Sequence, residues 1–549
     1  MTTRRAVLKM LGAGALLPIV PRALDGAPAL VGLSRKGHVI GGGFVDDDAA
    51  AGHALRDGTI ALHPGRPQRT VTVAIVGGGI GGLSAGWRLD ALGLTDWTLL
   101  ELGARHGGNA RSAEYPGLGG MQAPWGAHYL PVPDADAEEV RRLCREVGVL
   151  LPDGSWDERV LCHSPQERLW QHGRWREGLD PRDAASPAER AQFARFEHLI
   201  EGWRATGMFR VPSATGHRAR ARGAAGGGPA AKLAREVAAL DHITADRWLR
   251  DHGLDAPALR WWVEYGTRDD YGASLSQASA WAAVHYFAAR PEREDGPLTW
   301  PEGNDWLVRA LVAKLAAGRD ARGQSRLTTR APVVRVERKG GRWHVDTPHE
   351  QIVADAVVWA APLFVLPRVC AEVTLPVSLE YASWVVANLV LDSMPQERGA
   401  PLAWDNVIFG STALGYVNAQ HQRLGLADAR QLWTWYHAVT DQPAATGRRW
   451  LQQQPWSAWR DTIVHDLQRA HPDIAERLVR IDVKRWGHAM ARPVPGTLKR
   501  VQTMRDWSPA PRLFVAHADL SNLSLFEEAQ WHGVQAALAV VRALGTGGR

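Results

Sequence analysis

Cysteine is scarce in this sequence, and its few copies lie far apart. The 549 residues contain three cysteines, Cys144, Cys162 and Cys370. No C-x-x-C pair occurs, and no set of cysteines and histidines has the spacing of a metal site. The sequence therefore gives no reason to expect a bound metal ion.

Long apolar runs and a strong charge of one sign are also missing. No stretch after the N-terminal region approaches the roughly 18 apolar residues that a membrane helix needs. The net charge of +6 is small for this length, and the arginines are spread out. No basic stripe interleaved with stacking aromatic residues is present. These absences argue against a stable membrane span in the mature chain and against nucleic acid as a partner.

A glycine cluster after a short apolar run is the most informative feature. Residues 73–87 read VAIVGGGIGGLSAGW, in which Gly77, Gly79 and Gly82 fit G-x-G-x-x-G. The first glycine of this motif allows a tight turn, the second lets the backbone approach a pyrophosphate, and the third lets the helix pack close to the strand. The helix N-terminus then offers free N–H groups to the phosphates. The pattern predicts a strand–loop–helix unit that binds a dinucleotide.

An acidic residue ends the next apolar run. Glu101 comes directly after Leu99 and Leu100, where dinucleotide-binding units bind ribose hydroxyls. A glutamate at this point argues against a 2′-phosphate on the ribose. Residues 102–112 then read LGARHGGNARS. A second glycine pair lets another loop close over the pyrophosphate, and a nearby arginine can neutralise its charge.

These motifs together resemble the superfamily of FAD-dependent amine oxidases, phytoene desaturases and protoporphyrinogen oxidases. Its members follow the ribose-binding glutamate with an arginine and a Gly-Gly-Arg. Asn109 stands here in place of that last arginine, and Arg111 follows two residues later. The resemblance implies an α/β fold, with a Rossmann-like, GR2-type FAD-binding domain on a central parallel sheet and an interleaved α+β substrate domain. The implied FAD is non-covalent, since attachment through a C-terminal cysteine is excluded after Cys370.

Three later segments extend the resemblance: 119–129, 326–336 with 354–362, and 512–519 with 528–537. They resemble, in that order, the loop beside the isoalloxazine ring, the returning strands, and the closing strand and helix. In the superfamily an acid at the end of that strand binds the ribityl chain, and the final helix starts at the pyrimidine edge of the flavin, where its dipole stabilises negative charge. The residues assigned to the cofactor are Gly77, Gly79, Gly82, Glu101, Arg105, Gly108, Arg111, Gly126, Ala127, Val334, Asp519 and Ala529.

Candidates for catalysis lie in two later segments. A lysine that the amine oxidase branch places near the flavin N5 falls at Asn388 in this chain. Residues 484–496 resemble the Arg-Trp…Pro-Gly stretch of the desaturase and protoporphyrinogen oxidase branches, which passes close to the flavin. Trp486 and His488 are therefore candidates for the substrate face, and the alternative for His488 is a partner of a backbone carbonyl. The aromatic and polar segment 261–271 either lines the substrate site or forms a capped helix end.

The chain begins with a pattern typical of a twin-arginine export signal. Arg4 and Arg5 precede a modestly apolar core rich in glycine and alanine, and Ala27–Ala29 is a candidate cleavage site. We expect the twin-arginine translocase as a partner and the periplasm as the destination. Export in the folded state suits a cofactor that is inserted during folding. The sequence leaves open whether the leader is cleaved.

Composition and pattern also divide the chain into regions. We predict a leader over 1–33, an arm over 34–69, an FAD-binding domain over 70–134, 300–365 and 480–549, and a substrate domain over 135–299 and 366–479. Within the mainly helical region 135–299, residues 213–229 are rich in glycine, alanine and arginine. We predict a flexible surface loop there.

The leading hypothesis is an FAD-dependent oxidoreductase that removes a hydride from a C–N bond of an amine, such as a polyamine. One alternative is a desaturase-like dehydrogenase on an apolar substrate, whose flavin is reoxidised by a quinone rather than by O₂. Another is a flavin-bearing binding or assembly protein without turnover, which the absent lysine favours. The sequence leaves the substrate, the electron acceptor and the oligomeric state open.

Overall fold

The computed structural model describes residues 39–46, 48–290, 296–423 and 429–545. The strands within these ranges are β1 (Gly41–Phe44), β2 (Gln68–Val76), β3 (Trp97–Leu100), β4 (Ser112–Tyr115), β5 (Met121–Pro124), β6 (Tyr129–Leu130), β7 (Glu167–Gln171), β8 (Arg174–Glu177), β9 (Leu298–Thr299), β10 (Leu327–Thr328), β11 (Arg335–Lys339), β12 (Arg342–Asp346), β13 (Gln351–Trp359), β14 (Tyr381–Leu391), β15 (Asp405–Ile408), β16 (Tyr416–Asn418), β17 (Gln431–Val439), β18 (Leu478–Ala491) and β19 (Leu513–Val515). The α-helices are α1 (Ala49–Arg56), α2 (Ile80–Ala91), α3 (Glu138–Glu146), α4 (Pro187–Ala205), α5 (Ser213–Gly226), α6 (Gly228–Leu240), α7 (Ala245–Asp251), α8 (Pro257–Tyr271), α9 (Ala280–Ala288), α10 (Asp305–Ala316), α11 (Leu366–Val369), α12 (Ala444–Gln453), α13 (Trp456–Gln468), α14 (Ile474–Arg477), α15 (Thr497–Arg505) and α16 (Phe526–Leu544).

The first sheet carries the glycine cluster and has the order β10-β3-β2-β13-β12-β11, with β19 also paired to β13. β10, β3, β2, β13 and β19 are parallel, whereas β11 and β12 pair antiparallel. Both faces of β2 are covered. Val73 and Ile75 pack against α2, α10 and α16, and Ala74 and Val76 pack into the core on the opposite face. Coverage on both faces explains why this strand reads as a continuous apolar run. The α/β prediction with a Rossmann-like parallel sheet is confirmed.

The second sheet has eight strands in the order β1-β18-β14-β17-β16-β15-β7-β8. Its third strand, β14, is buried along its whole length. Alternate side chains of β14 face two cores: Val385 and Ala387 pack towards α12 and α13, whereas Trp384 and Val386 join a core that includes Trp125. The face of Trp384 is therefore directed towards the nucleotide-binding part of the chain.

Sheet membership differs from the predicted division of the chain in two places. β18 is part of the eight-stranded sheet, although its residues from 480 to 491 fall in the range 480–549 predicted for the FAD-binding domain. The arm is also divided: β1 pairs with β18, whereas Leu55 of α1 packs on the core of the first sheet. A strand pattern alone does not state which of two sheets the strand joins, because both offer buried apolar faces.

The predicted loop at 213–229 is wrong for most of its length. It folds as α5 and the start of α6, joined at Gly227, which has a φ of +69°. Alanine and arginine are strong helix formers, and the buried side of α6 joins the helical core through Ala234 and Val237. Within the described ranges, no helix combines the length and the apolar character that a bilayer crossing requires. The leader and its arginine pair lie outside the described residues.

Candidate functional site

Two glycines of the cluster are required by the packing of the loop itself. Gly77 has a φ of +108°, and a Cβ atom there would lie 2.8 Å from the backbone of Ala360 at the end of β13. A Cβ atom on Gly82 would overlap the carbonyl oxygen of Gly77. Since no side chain fits at either position, these glycines hold β2 and α2 together.

Gly79 has a different environment. It caps α2 in an extended conformation, and a Cβ atom on it would meet no atom within 4 Å. The second glycine pair faces it, because Gly107 N–H donates to Gly78 O at 2.8 Å and a Cβ on Gly108 would lie 3.5 Å from Gly79 Cα. The open space at the start of α2 fits a phosphate group, which backbone N–H groups and the helix dipole would bind.

Glu101 turns back towards this loop. Its Oε2 accepts the Gly78 N–H and its Oε1 accepts the Gly103 N–H, each at 2.7 Å. Burial raises the pKa of Glu101, and these two N–H groups oppose the rise. Ala331 N–H donates to Glu101 O at 2.8 Å, so the segment leading to β11 runs beside the acid. Val334 lies in that segment, and its N–H donates to Asp346 O at 2.9 Å.

The two arginines that the sequence assigns to the cofactor have different partners. Arg111 follows the second glycine pair, where its Nε donates to Gly108 O at 3.1 Å, and it forms an ion pair with Asp48. Arg105 instead pairs with Asp305 at the start of α10, at 2.9 Å. Arg111 is therefore the arginine that the structure holds along the glycine loop.

The C-terminal segment packs directly on the glycine cluster. A Cβ atom on Gly81 would overlap Ala516 O and lie 3.5 Å from Ala529 O, and a Cβ atom on Gly533 would overlap Gly81 O. α2 and α16 thus approach each other backbone to backbone. The start of α16, with Ala529 in its first turn, lies against the start of α2.

Asp519 follows β19 and is almost completely buried. Its Oδ2 accepts the Leu363 N–H at 2.9 Å and the Tyr381 hydroxyl at 2.6 Å, and its Oδ1 lies 3.2 Å from His517 Nδ1. Burial acts to raise the pKa of Asp519, but the charge of His517 and these hydrogen bonds outweigh it and lower the pKa. The carboxylate is held ionised at the junction of the two sheets.

The loop at 125–127 closes the other side of the glycine loop. Trp125 N–H donates to Arg111 O at 2.8 Å, and Ala127 N–H donates to Asn109 O at 3.2 Å. A Cβ atom on Gly126 would overlap that Asn109 oxygen. Trp486 joins the same place, because its Nε1–H donates to Trp125 O at 2.6 Å.

His488 lies two residues further along β18 and is exposed, yet aromatic rings surround it. Its ring stacks on Phe364 with centroids 4.3 Å apart and meets Tyr381 edge-on at 5.6 Å. The aromatic rings keep water away from the imidazole, and this desolvation lowers the pKa of His488. The charge of Arg448 lowers the pKa further, and the charge of Asp519 opposes the change. His488 is thus brought close to Asp519 and Trp486.

Asn388 is not brought to this place. It is buried in β14 between Thr434 and Asp482, and its Oδ1 accepts the Thr434 hydroxyl at 2.9 Å. Asp482 and His488 are six positions apart on β18, which at about 3.3 Å per residue separates Asn388 from His488 by about 20 Å. Asn388 is therefore a part of the sheet interior rather than of the group around Asp519.

A cluster of aromatic rings and carboxylates beside Gly126 was not predicted as a unit. His128 stacks on Tyr436 at 4.8 Å and lies 5.3 Å from Trp404. Tyr436 donates to Gly126 O at 3.2 Å, and the carboxylates of Asp269 and Asp405 both act to raise the pKa of its hydroxyl, after the larger effect of burial. We call His128, Tyr129, Asp269, Trp404, Asp405 and Tyr436 the aromatic–carboxylate cluster. Asp269 falls in the candidate segment 261–271, and His128 and Tyr129 fall in the segment 119–129 that resembles the loop beside the isoalloxazine ring. Trp404, Asp405 and Tyr436 come from segments that the sequence did not mark.

Comparisons with known proteins agree with this geometry. The family model of the NAD(P)-binding Rossmann-like domain matches residues 75–147. A putrescine oxidase bound to putrescine superposes with a TM-score of 0.63 at 16% identity, over 87% of this chain and 100% of that chain. A cyclohexylamine oxidase from Brevibacterium oxydans superposes with a TM-score of 0.60 at 15% identity, over 86% of this chain and 99% of that chain. The chain shares the fold of these oxidases.

A fatty acid isomerase from P. acnes that produces CLA gives a TM-score of 0.58 at 14% identity, over 85% of this chain and 98% of that chain. The same fold therefore occurs in proteins whose substrates differ widely. The search of curated proteins gave no match. At these identities the comparisons establish the fold, and the substrate must be argued from the residues of this chain.

Proposed function

We propose that this chain is an FAD-dependent oxidoreductase that oxidises a C–N bond of an amine. The observation that carries the proposal is the aromatic–carboxylate cluster, which joins the glycine loop through Tyr436 and Gly126. A cationic amine is recognised by carboxylates and by the faces of aromatic rings, and both are present there. The position next to the nucleotide cradle would bring such an amine to the cofactor.

The residues of the cradle fit FAD. The open space at Gly79 and the start of α2 would receive the pyrophosphate, with Arg111 beside it. Glu101 is placed for the ribose, and Asp519 and the first turn of α16 lie at the far side of the same loop. When bound, FAD supplies the acceptor for a hydride.

The protein would contribute binding, orientation and exclusion of water. Asp405 is buried and Asp269 is partly buried, so the charge of either is screened less than that of a surface carboxylate. Burial and the two carboxylates raise the pKa of Tyr436, so its hydroxyl stays protonated at neutral pH and keeps its hydrogen bond to Gly126 O. That bond fixes the loop at 125–127 relative to the cluster.

The test is anaerobic reduction of the purified protein. We expect a yellow protein whose flavin absorbance is bleached by amines and not by apolar compounds of similar size. The variants Asp269→Asn and Asp405→Asn should retain flavin but need higher amine concentrations. Asp255→Asn, which removes an exposed carboxylate next to α8, is the matched control and should behave as wild type.

Other outcomes separate the alternatives. Bleaching by apolar compounds alone would favour the desaturase-like reaction, and no bleaching across a broad panel would favour a binding protein. Reoxidation of the bleached protein by air or by a soluble quinone identifies the class of electron acceptor.

We also infer that Arg4 and Arg5 direct export of the folded, flavin-loaded protein to the periplasm. The support is the sequence pattern described above. Replacing both arginines by lysine should leave the protein in the cytoplasmic fraction with its flavin. Periplasmic recovery of that double variant would contradict the inference.

A further inference from the structure

The N-terminal arm touches both sheets within a few residues. β1 pairs in parallel with β18, with Gly41 opposite Arg480 and Phe44 opposite Val483. The guanidinium of Arg485 lies 3.7 Å from the centre of the Phe44 ring. Asp46 accepts hydrogen bonds from Nε and Nη2 of Arg485 at 2.9 and 2.7 Å. The arm is thus fixed to β18 next to Trp486.

Asp48 reaches the nucleotide loop on the other side. Its carboxylate pairs with Arg111, and a Cβ atom on Gly103 would lie 2.9 Å from its Oδ1. The side chains of Asp48 and Arg111 are 20% and 14% exposed, so the pair is shielded from most of the solvent. Only glycine at position 103 leaves room for this approach.

The contact between Asp48 and Arg111 acts on residues that face the space for the cofactor. Arg111 is held at two points, by Gly108 O and by Asp48, which sets its direction along the second glycine pair. The charges of Arg111 and Asp48 both act on Glu101, which itself accepts from Gly78 and Gly103. Displacing Asp48 would remove one of the two contacts that hold Arg111, and it would remove a neighbour from the turn that follows Glu101.

We propose that Asp48 is a positioning residue of the nucleotide site, and that docking of the N-terminal arm and binding of the cofactor stabilise each other through Arg111. This inference rests on the proposed binding of FAD. Thermodynamic linkage makes the effect reciprocal: the factor by which a docked arm strengthens FAD binding is the factor by which bound FAD strengthens docking of the arm.

The experiment measures FAD release from the full-length holoprotein by the rise of flavin fluorescence on dilution. A hydrogen bond to a charged group contributes enough that Asp48→Asn should speed release about tenfold. Asp46→Asn, which loosens the arm at β18 without touching the nucleotide loop, should also speed release. Asp57→Asn changes an exposed carboxylate at the end of α1 and should release FAD at the wild-type rate.

Hydrogen exchange gives a readout that does not depend on activity. Backbone amides of β1 and α1 should exchange faster after FAD is removed, and faster in Asp48→Asn than in wild type. Unchanged FAD release in Asp48→Asn would overturn the inference, as would wild-type release in Asp46→Asn, since the arm would then not be coupled to the site. A wild-type protein that retains no FAD would instead overturn the proposed function. If Asp48→Asn does not fold, as judged by circular dichroism, Asp46→Asn decides.

Discussion

The nucleotide-binding sheet and the eight-stranded sheet differ in how the chain builds them. β2, α2 and β3 are consecutive, and they place Gly79 and Glu101 within one short stretch. The eight-stranded sheet instead pairs β1 with β18 and β7 with β15, which are hundreds of residues apart in the chain. The β2–α2–β3 unit is therefore specified locally, although β10, β13 and β19 join its sheet from later in the chain. The order of the eight-stranded sheet depends on long-range pairing even at its two ends. Function divides in a similar way, because the glycine loop and Glu101 are local, whereas the aromatic–carboxylate cluster comes from several remote segments.

The largest expected effect tests the local region. Gly79→Val adds a side chain where no protein atom lies within 4 Å, so the fold should persist while the phosphate space is filled. We expect complete loss of flavin, with an unfolding midpoint close to that of wild-type protein from which the flavin has been removed, since bound flavin itself stabilises the folded state. Absorbance at the flavin band and chemical denaturation measure the two effects.

Two glycine variants are the controls. Gly202→Ala adds a methyl group on the exposed side of α4, again with no atom within 4 Å, and should retain flavin. Gly82→Ala should lower stability and flavin content together, because its methyl group would overlap Gly77 O. A Gly79→Val protein that is still yellow would contradict the prediction, because Gly79 would then not be needed for the phosphate to approach the loop.

The next effect concerns the start of α16, where the two regions meet. Glu528 is fully buried, and burial raises its pKa to about 7 even though it accepts from Ser521 and Ser213. The folded protein therefore binds this proton more tightly than the unfolded chain, with its value of 4.5. The protonated Glu528 therefore contributes stability that is fully present below pH 4.5. About 3 kcal/mol of the free energy of unfolding is lost as the pH rises from 4.5 through about 7.

Urea denaturation at several pH values between 4.5 and 8 checks this linkage. The free energy of unfolding of Glu528→Gln should increase relative to that of wild type as the pH rises, because the amide does not ionise. Glu236→Gln on the exposed side of α6 is the matched control and should follow the wild-type curve. Parallel curves for wild type and Glu528→Gln would mean that Glu528 is already ionised when folded.

A smaller effect tests the contact that joins the two sheets. Tyr381 of β14 donates to Asp519, whose pKa is lowered in the folded state. The stability that Asp519 contributes is therefore present above the unfolded pKa of a carboxyl group and is lost as the pH falls through the lower folded value. Tyr381→Phe removes one donor and should cost about 1–3 kcal/mol at neutral pH. It should also move acid unfolding to higher pH.

A double-mutant cycle with Asp519→Asn isolates this pair. The coupling should be positive and of the same order as the single effect. Additive single effects would show that Tyr381 and Asp519 do not depend on each other, and that the sheets are joined elsewhere.

The smallest effect on activity is expected at Asn388. Asn388→Ala removes the acceptor of the Thr434 hydroxyl inside the eight-stranded sheet and should cost about 1 kcal/mol of stability. Turnover per flavin should stay close to wild type, because Asn388 lies about 20 Å along the sheet from His488. A large loss of kcat with unchanged stability would return Asn388 to the reacting site.

These differences explain what the sequence could and could not predict. Gly77, Gly79, Gly82 and Glu101 were recognisable because the turn and the phosphate approach demand particular residues at fixed spacing. The cluster around Tyr436 has no such spacing, since Trp404, Asp405 and Tyr436 come from segments whose apolar pattern predicts only strands. Helix α5 was missed because its glycines suggested a loop, whereas helix propensity and packing against α6 decide the structure there.

The same limit applies to β18. Its residues resembled a flavin-proximal segment, and Trp486 and His488 do lie beside the loop at 125–127 and Asp519. Its membership of the eight-stranded sheet depends on β14, whose pairing partners are far away in the chain. Backbone pairing over such distances leaves little trace in the local pattern.

The position of β1 has a consequence for handling the protein. β1 occupies the outermost place in the eight-stranded sheet and covers the Arg480–Val483 portion of β18. A chain shortened past residue 44 would leave the N–H and C=O groups of that portion without their strand partner. An edge of this kind is a template on which other molecules add strands, and β18, with 14 residues, offers a longer one than β1, with 4. Truncated preparations should therefore self-associate more readily than the longer chain.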